Sequence, residues 1–503
     1  MFSNKYVLGT TNPLLMCDYY KMVHAKMLPA GIQKSTSYFT PRSSRIPGWD
    51  HAVFFGLRGF LNQMDAVFKE GFFERDWKDI EFEMRYYIGD TLSKNDAETF
   101  IQRAQDLHEL GYLPLEIDAL PEGSHVNMKV PMFSITNTHA CFAWLPQFIE
   151  PWLSCEMWHG IVCATVADKF RTVVDRYYDK TVDDCVDHAT ALSAFDMRGE
   201  ESISGAVKAG AAWCTSFKPC STSSVGAYLI YNYDAKDMSR MGTPSTEHAV
   251  MCSNFAVDGD EITFLKRLLT DIYPSGPVSV VLDSYDYWGM VDKLATIKDI
   301  ILNRDGCLLV RGDSGNPAQV VTDTVFKLWD MFGGTYNSKG YKVLDKHIKA
   351  IYGDQITLER CEEIYKILEE KGFAANNVAL GVGSFSMQAV KVDGEYYPFT
   401  RDTFNIAIKA TYIKVLDRGY KIFKNPKVQG AHGESVEYYK KSAKGLIEVR
   451  GEDGNYSIID DLDCICDTAL DLVYENGKFY NCDTLEDIRD RLNEYRANQE
   501  VKE

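Results

Sequence analysis

The chain has 503 residues, 45% hydrophobic and 13% aromatic, which exceeds one typical domain and is ample for a large core. Its 54 Lys and Arg stand against 72 Asp and Glu, a formal charge of −18, which disfavours wholesale binding to nucleic acid or to an anionic membrane surface. The longest apolar runs fall far short of a membrane span, and the opening MFSNKYVLGTTNPLL lacks a secretory h-region. A cytoplasmic protein is therefore expected, with neither nucleic acid nor membrane among its partners.

Residues 1–188 are rich in aromatics, with helical patterning over 96–110 and 160–178 and strand candidates in LPLEIDAL and KVPMFSIT. Six short apolar runs follow, each ending in a polar or Gly-rich turn. They read ALSAF into Asp196-Met197-Arg198, WCTSF into Lys218, VSVVL into Asp283, CLLVR into Gly312-Asp313, IKAIY into Gly353-Asp354 and VALGV into Gly383-Ser384. Amphipathic segments of helical length at 258–272, 285–302 and 355–371 separate several of them, the pattern of βα units with parallel strands. Residues 396–503 read as strands and turns, with hairpin-like pieces in YYKKSAKGLIEV and NGKFYNCD, closed by a charged helix from about 484. The expected division is an α/β barrel over 189–395, with 1–188 and 396–503 packing together as a discontinuous α+β domain.

In a barrel of βα units the strand ends converge on one face. That face would gather Arg198, Asp283, Arg311, Asp313, Asp354 and the two Gly turns around one pocket. Asp283 and Asp313 suit a divalent cation or sugar hydroxyls, although an Asp at a strand end is often only a helix N-cap. Asp286 and Asp292 are expected to be solvated on the following helix. Gly353-Asp354 and Gly383-Ser384 fall in successive late turns, where backbone amides can cradle a phosphate; a single Gly there is commonly just a turn residue. Arg401, Lys409, Lys424, Lys427, Lys440 and Lys441 lie beyond, as a solvated face or as ligands of a pyrophosphate-bearing molecule. His248 opens a helix in TPSTEH and suits a phosphate ligand, a general acid or a phosphorylation site, a lone His being more often structural. The thirteen cysteines are scattered. The nearest spacing, Cys464-x-Cys466, admits a metal or redox role, but alternating burial in a short strand is the commoner meaning, and structural zinc is not expected.

These residues carry a resemblance. DYYKMVH (18–24), SYFTPR (37–42), VFFGL (53–57), LPLEIDALPEG (113–123), FDMRG (195–199), EH (247–248), PVSVVLDSYD (277–286), RGDSGNP (311–317), NSKGYKVL (337–344), YGD (352–354) and FKNP (423–426) resemble, in order over nearly the whole chain, the nicotinamide phosphoribosyltransferase family.

The resemblance implies an irregular TIM-like α/β barrel of the type II phosphoribosyltransferases, and a homodimer with active sites shared across its interface. It also implies Mg2+-dependent transfer of ribose 5-phosphate from phosphoribosyl pyrophosphate to a pyridine nitrogen, in NAD salvage. Phe195 and Tyr20 of the other subunit would sandwich the pyridine ring, with Asp18 and Ser221 nearby and Arg311 on the amide carbonyl. Asp313, with Asp283, would fix the ribose and the magnesium shell, directly or through water. Gly353, Asp354, Gly383 and Ser384 would line the ribose phosphate, while Arg42, Arg198, Arg401, Lys409, Lys424 and Lys440 would neutralise phosphate and pyrophosphate. The family phosphorylates the His matching His248 with ATP, and Glu247 accompanies it.

The departures from the family leave the fold and phosphoribosyl transfer in place and bear on the choice of base. Ser221 stands where the family has an Asp that accepts from the amide, and Ser193-Ala194 replaces a His-Asp pair before the stacking Phe. Asp196 replaces a Gly after it, Gly242 replaces a Ser before the catalytic His, Ser384 replaces a Gly of the phosphate turn, and 428–438 is inserted. Asp196 is the acid nearest in sequence to supply what Ser221 lacks. The readings in competition are transfer to nicotinamide, transfer to nicotinate or another pyridine, and a catalytically silent ligand-binding relative. Joint retention of Asp283, Arg311, Asp313, Asp354 and His248 argues against the last.

Overall fold

The structure, a computed structural model, describes residues 9–238, 241–425 and 442–500. Lys427, Lys440, Lys441 and the insertion 428–438 lie outside the described residues. Two compact units divide the chain, one of residues 1–162 with 400–503 and the other of 163–399. The helix Glu150–Thr181 runs through the boundary. None of the described helices is long and apolar enough to cross a membrane.

In the 163–399 unit, five parallel strands stand in the order Leu192–Phe195, Val378–Gly383, Ile348–Tyr352, Leu308–Gly312, Val278–Val281. Runs such as VSVV are buried along their whole length, as expected of parallel strands covered on both faces. The two sheet edges are joined by chain that is not regular strand. Ala194 bridges Cys220 in parallel, Cys220 donates its N–H to the Met241 carbonyl at 3.0 Å, and Ser245 bridges Ser279. Three short links thus carry the sheet round into an irregular barrel.

One expected strand is absent. WCTSF is the end of the helix Ile203–Trp213 and the turn after it. Phe217 donates its N–H to the Trp213 carbonyl, a helical step, and the two rings stack at 4.5 Å. Aromatic residues at i and i+4 meet on a helical turn and would lie on opposite ends of a strand, so burial of this pair decides against the extended form. The sheet position passes to Cys220.

Of the expected helical segments, 355–371 holds Leu358–Glu370, whereas 258–272 holds Glu261–Arg267 and 285–302 is divided into Tyr287–Lys293 and Lys298–Asn303; Pro317–Phe332 is a further helix beyond those expected. Pro317–Phe332 starts at Asn316, whose side chain accepts from Gln319 N–H, with Pro at the first turn, and stops at Gly333. Leu358–Glu370 is capped in the same way by Thr357. Both arrangements satisfy backbone groups that a helix end leaves open.

In the other unit the two flanks of the sequence interleave in one antiparallel sheet of seven strands. Ile32–Thr40 pairs with Ala407–Val415, and Leu115–Ala119 pairs with Asp471–Glu475. The α+β unit is therefore discontinuous in sequence. Helices Leu57–Phe68, Trp77–Ile88, Lys94–Leu110 and Leu485–Glu500 belong to the same unit. Leu446–Arg450 and Ser457–Leu462 form a separate hairpin. Cys464 and Cys466 follow that hairpin and are both exposed, so the expected alternating burial is not found: the strand ends at Leu462, and the chain beyond it is irregular.

Candidate active site

Parallel register places the barrel strand ends on one edge. Phe195 is level with Gly383, Tyr352 with Gly312, and Arg311 with Val281. The residues immediately after these positions are therefore neighbours, although up to about 190 residues separate them in sequence.

Asp283 and Asp313 are not helix caps. The caps of the helices that follow them are Asp286 and Asn316, which leaves both earlier carboxylates turned to other work. Asp283 has a side chain only 4% exposed and meets His248 Nε2 at 3.0 Å, while its other oxygen accepts the Asp313 N–H at 3.0 Å. Burial pushes its pKa up, but hydrogen bonds from Ser314, Asp313 and His248 outweigh that and hold it below the ordinary value. Asp313 goes the other way. Burial raises its pKa, and the neighbouring Asp283 and Asp354 add to the rise against Arg311. Its Oδ2 lies 3.2 Å from Arg311 Nε, and its Oδ1 is buried without a hydrogen-bond partner among the described residues.

Arg311 is fixed at its far end by a 2.9 Å hydrogen bond to the Thr246 carbonyl. Thr246 is itself tied to the sheet by bonds with Ser279 and Val281. His248 begins the helix His248–Asp258, with Glu247 as its N-cap residue. With Asp283 accepting from Nε2–H, the ring's lone pair is left on Nδ1.

Two glycines shape the floor. A Cβ at Gly381 would stand 2.9 Å from the Phe195 ring, and one at Gly353 would stand 3.1 Å from Asp313 Oδ1. Phe195 is 38% exposed at its strand end, so bare backbone lets the ring lie against the sheet with a face available. Ser384 packs against Gly199, where any side chain would collide with its hydroxyl; this brings the Gly383-Ser384 turn beside the turn that carries Arg198. Asp354 is exposed and accepts from Gln355 at 3.0 Å. Ser221 is exposed and donates its N–H to Ala194, one residue before Phe195, at 2.9 Å.

Asp196 behaves differently from its neighbours. It is fully buried, and neither carboxylate oxygen has a hydrogen-bond partner among the described residues. Burial pushes its pKa up to about 6. Burial, with Asp196 and Glu201 alongside, pushes Glu200 up to about 8.

The remaining candidates lie in the other unit and form their own group. Arg42 donates to the backbone and side chain of Asn405 at 2.9 and 2.7 Å, and Arg401 pairs with Asp402 at 2.7 Å. Burial lowers the Lys409 pKa; Glu150 opposes this, and Arg42, Lys21 and Arg401 reinforce it, so these cations share one neighbourhood. Asp18 and Tyr20 lie at the start of the helix Tyr19–Met27, where Tyr20 is 56% exposed. Lys424 is exposed.

Residues that sequence reasoning passed over are Thr246, Ser314 and Gly381. Gly381 was legible in principle, because a period of two puts it on the same strand face as Gly383. The support that Thr246 and Ser314 provide depends on which strands are neighbours.

Comparison with known proteins adds the family. Residues 190–443 match the nicotinate phosphoribosyltransferase (NAPRTase) family, and residues 12–80 match the nicotinamide phosphoribosyltransferase N-terminal domain. The chain is 35% identical to a nicotinamide phosphoribosyltransferase of Acinetobacter baylyi, over 96% of this chain and 97% of the relative. It is 28% identical to one of Xanthomonas campestris pv. campestris, over 95% and 97%. In fold it is similar to a nicotinate-nucleotide pyrophosphorylase from Pyrococcus furiosus, with TM-score 0.58 and 15% identity over 97% of this chain and 96% of that one. It is also similar to human nicotinic acid phosphoribosyltransferase, with TM-score 0.53 and 15% identity over 95% and 93%. Matched over half its length by the family model and over nearly all of it by full-length relatives, the chain belongs to the nicotinate phosphoribosyltransferase family and carries the amino-terminal domain of nicotinamide phosphoribosyltransferases.

Proposed function

We propose that the chain transfers ribose 5-phosphate from phosphoribosyl pyrophosphate to the ring nitrogen of nicotinamide, giving nicotinamide mononucleotide and pyrophosphate in NAD salvage. The observation that carries the reading is the linked set His248, Asp283, Asp313 and Arg311 at adjacent strand ends, beside the partly exposed Phe195 ring.

A pyridine nitrogen is a modest nucleophile, so catalysis relies on holding it in line while pyrophosphate departs and positive charge develops on the sugar. Phe195 offers a flat apolar face for the ring. Arg311, held by Thr246, directs its remaining N–H groups to the amide carbonyl. Asp313 accepts from ribose hydroxyls and, as an anion, faces the developing positive charge. Amides of the Gly353 and Gly383 turns take the 5-phosphate, with Asp354 and Ser384 beside them, and Arg198 joins them.

The donor set suits magnesium, which commonly takes one or two carboxylates and completes its shell with water and phosphate oxygens. Asp283 is held ionised, and Asp313 presents a buried oxygen with no partner among the described residues. Bound there, the ion would neutralise charge on the departing pyrophosphate.

The cationic group of Arg42, Arg401 and Lys409, with Lys424 and with Lys440 outside the described residues, would serve phosphate and pyrophosphate. Tyr20, with Asp18 before it, would complete the base site of a second copy in a homodimer. In this reading residues 163–399 supply the transferase barrel and 1–162 with 400–503 the flanking domain. ATP would phosphorylate His248 at Nδ1, with Glu247 beside it, to couple hydrolysis to substrate capture.

Ser221 favours a second reading in which nicotinate or another pyridine is also accepted, since it places no negative charge opposite the ring substituent. An assay with phosphoribosyl pyrophosphate, Mg2+ and a panel of pyridines, read by product mass, tests both. Nicotinamide mononucleotide as the main product supports the first; no nucleotide from any pyridine rejects the transferase reading.

A further inference from the structure

Cys464 and Cys466 are both exposed, and their Sγ atoms stand 3.8 Å apart. Among the described residues no third His, Cys, Asp or Glu donor joins them in a metal-sized group. A four-donor zinc site is thus not supplied, whereas a disulfide needs only these two sulfurs. The backbone after the pair is anchored, because the N–H groups of Cys466 and Asp467 donate to Glu448 at 2.7 and 3.2 Å.

The backbone before the pair carries a clamp. Asp463 lies 3.0 Å from the Lys421 ammonium, and Asp461 holds the same group at 3.2 Å. Three residues beyond Lys421, Lys424 is tied to Ser442 by two hydrogen bonds. Its N–H donates to the Ser442 hydroxyl at 2.8 Å, and its carbonyl accepts the Ser442 N–H at 3.0 Å.

We propose that Cys464 and Cys466 form a reversible redox site that closes to an internal disulfide in the presence of glutathione disulfide, and that closure draws Asp463 away from Lys421 and loosens the segment leading to Lys424. A sulfur–sulfur bond of about 2.05 Å requires the two atoms to approach by about 1.8 Å from their present 3.8 Å. Glu448 anchors the Cys466 side, so the displacement falls on Cys464 and on Asp463 next to it. The Cys464 thiolate attacks glutathione disulfide and expels one glutathione thiolate, which takes up a proton. The Cys466 thiolate then attacks the Cys464 sulfur of the mixed disulfide and expels the second. The protein loses two thiol protons and two electrons, and one glutathione disulfide becomes two glutathione thiols. An exposed, short-loop disulfide of this kind is readily reduced again, as regulatory ones are.

An effect on catalysis rests on the proposed role of Lys424 as a phosphate ligand, and the test separates the two. Full-length protein is incubated with glutathione disulfide, alkylated and mapped by mass. The peptide holding both cysteines should lose two alkylation sites and two hydrogens, reversibly with dithiothreitol, while Cys464→Ser and Cys466→Ser should each yield a mixed disulfide instead. Amide exchange over 419–425 should quicken several-fold in the oxidised wild type and stay unchanged in Cys466→Ser, and KM for phosphoribosyl pyrophosphate should rise several-fold at constant kcat. Failure to form the internal disulfide, or its formation without a change in exchange, overturns the proposal. A change in exchange with an unchanged KM upholds the redox site and removes Lys424 from phosphate binding.

Discussion

Asp283 accepts the backbone N–H of Asp313 at 3.0 Å, yet the two carboxyls are tuned in opposite directions, the first below its ordinary pKa and the second above. The difference is hydrogen bonding. Asp283 collects three donors, while Asp313 has Arg311 on one oxygen and, among the described residues, no partner on the other. Unlike acids in contact let one serve as a fixed anion and the other as a group that responds to a ligand.

Asp313→Ala is therefore expected to lower kcat/KM by about 100-fold or more while leaving Tm nearly unchanged, because a pocket acid with an unpartnered oxygen contributes little to the core. Near-normal turnover in this variant would remove Asp313 from the site. If Asp313 acts as an anion, its raised pKa should place the acid limb of the kcat/KM profile above the ordinary Asp value. A limb at the ordinary value would assign the ionisation elsewhere.

A shared active site predicts complementation. Tyr20→Ala and Asp313→Ala chains, each inactive alone, should regain activity when mixed, since a hybrid dimer holds one intact site. Monomers by light scattering, or verified subunit exchange without recovery, would rule sharing out.

ATP coupling predicts a phosphoenzyme. Incubation with labelled ATP should give acid-labile, base-stable label that is lost in His248→Ala, with slow uncoupled transfer remaining. Asp283→Asn should also reduce labelling, because it weakens the hold on Nε2 that leaves the lone pair on Nδ1. No label on the wild type and no effect of ATP on its kinetics would show that the coupling is missing.

Base choice is tested at Ser221 and Asp196. A charge-assisted hydrogen bond is worth about 1.5–3 kcal/mol, or roughly 10- to 150-fold in affinity, so Ser221→Asp should sharpen the preference for nicotinamide over nicotinate. If Asp196 supplies the missing acceptor, Asp196→Ala should erode that preference. An unchanged ratio of efficiencies would confine the buried Asp196 to a structural role, and a wild-type preference for nicotinate would reassign the substrate without touching the fold.

Asp196 also predicts a pH dependence of stability. Its folded pKa is raised to about 6, so the folded state binds more protons than the unfolded one between the two pKa values. Its contribution is then fully present below the unfolded pKa and is lost as pH rises through about 6. Asp196→Asn removes the charge that burial opposes, and should raise stability more at pH 8 than at pH 5, by about 1.4 kcal/mol. Equal shifts at both pH values would mean that the carboxylate is solvated.

The amino-acid sequence alone determined the βα alternation, five of the six barrel strands and the residues at their ends, because strand runs, caps and turn glycines are local signals. ALSAF, VSVVL, CLLVR, IKAIY and VALGV all lie in the parallel sheet. WCTSF does not, since its aromatic content suits a strand equally well until Trp213 and Phe217 find each other on a helical turn. The exposure of Cys464 and Cys466 likewise depends on where the preceding hairpin ends. Only the tertiary structure decided which Asp is which: Asp283, Asp286 and Asp313 look alike along the chain, and one caps a helix while two meet across strands. Pairing with His248, the hold of Thr246 on Arg311 and the glycine floor beneath Phe195 arise from contacts between segments remote in sequence. Local patterning selects elements, but burial, charge pairing and close backbone approach exist only once those elements are neighbours.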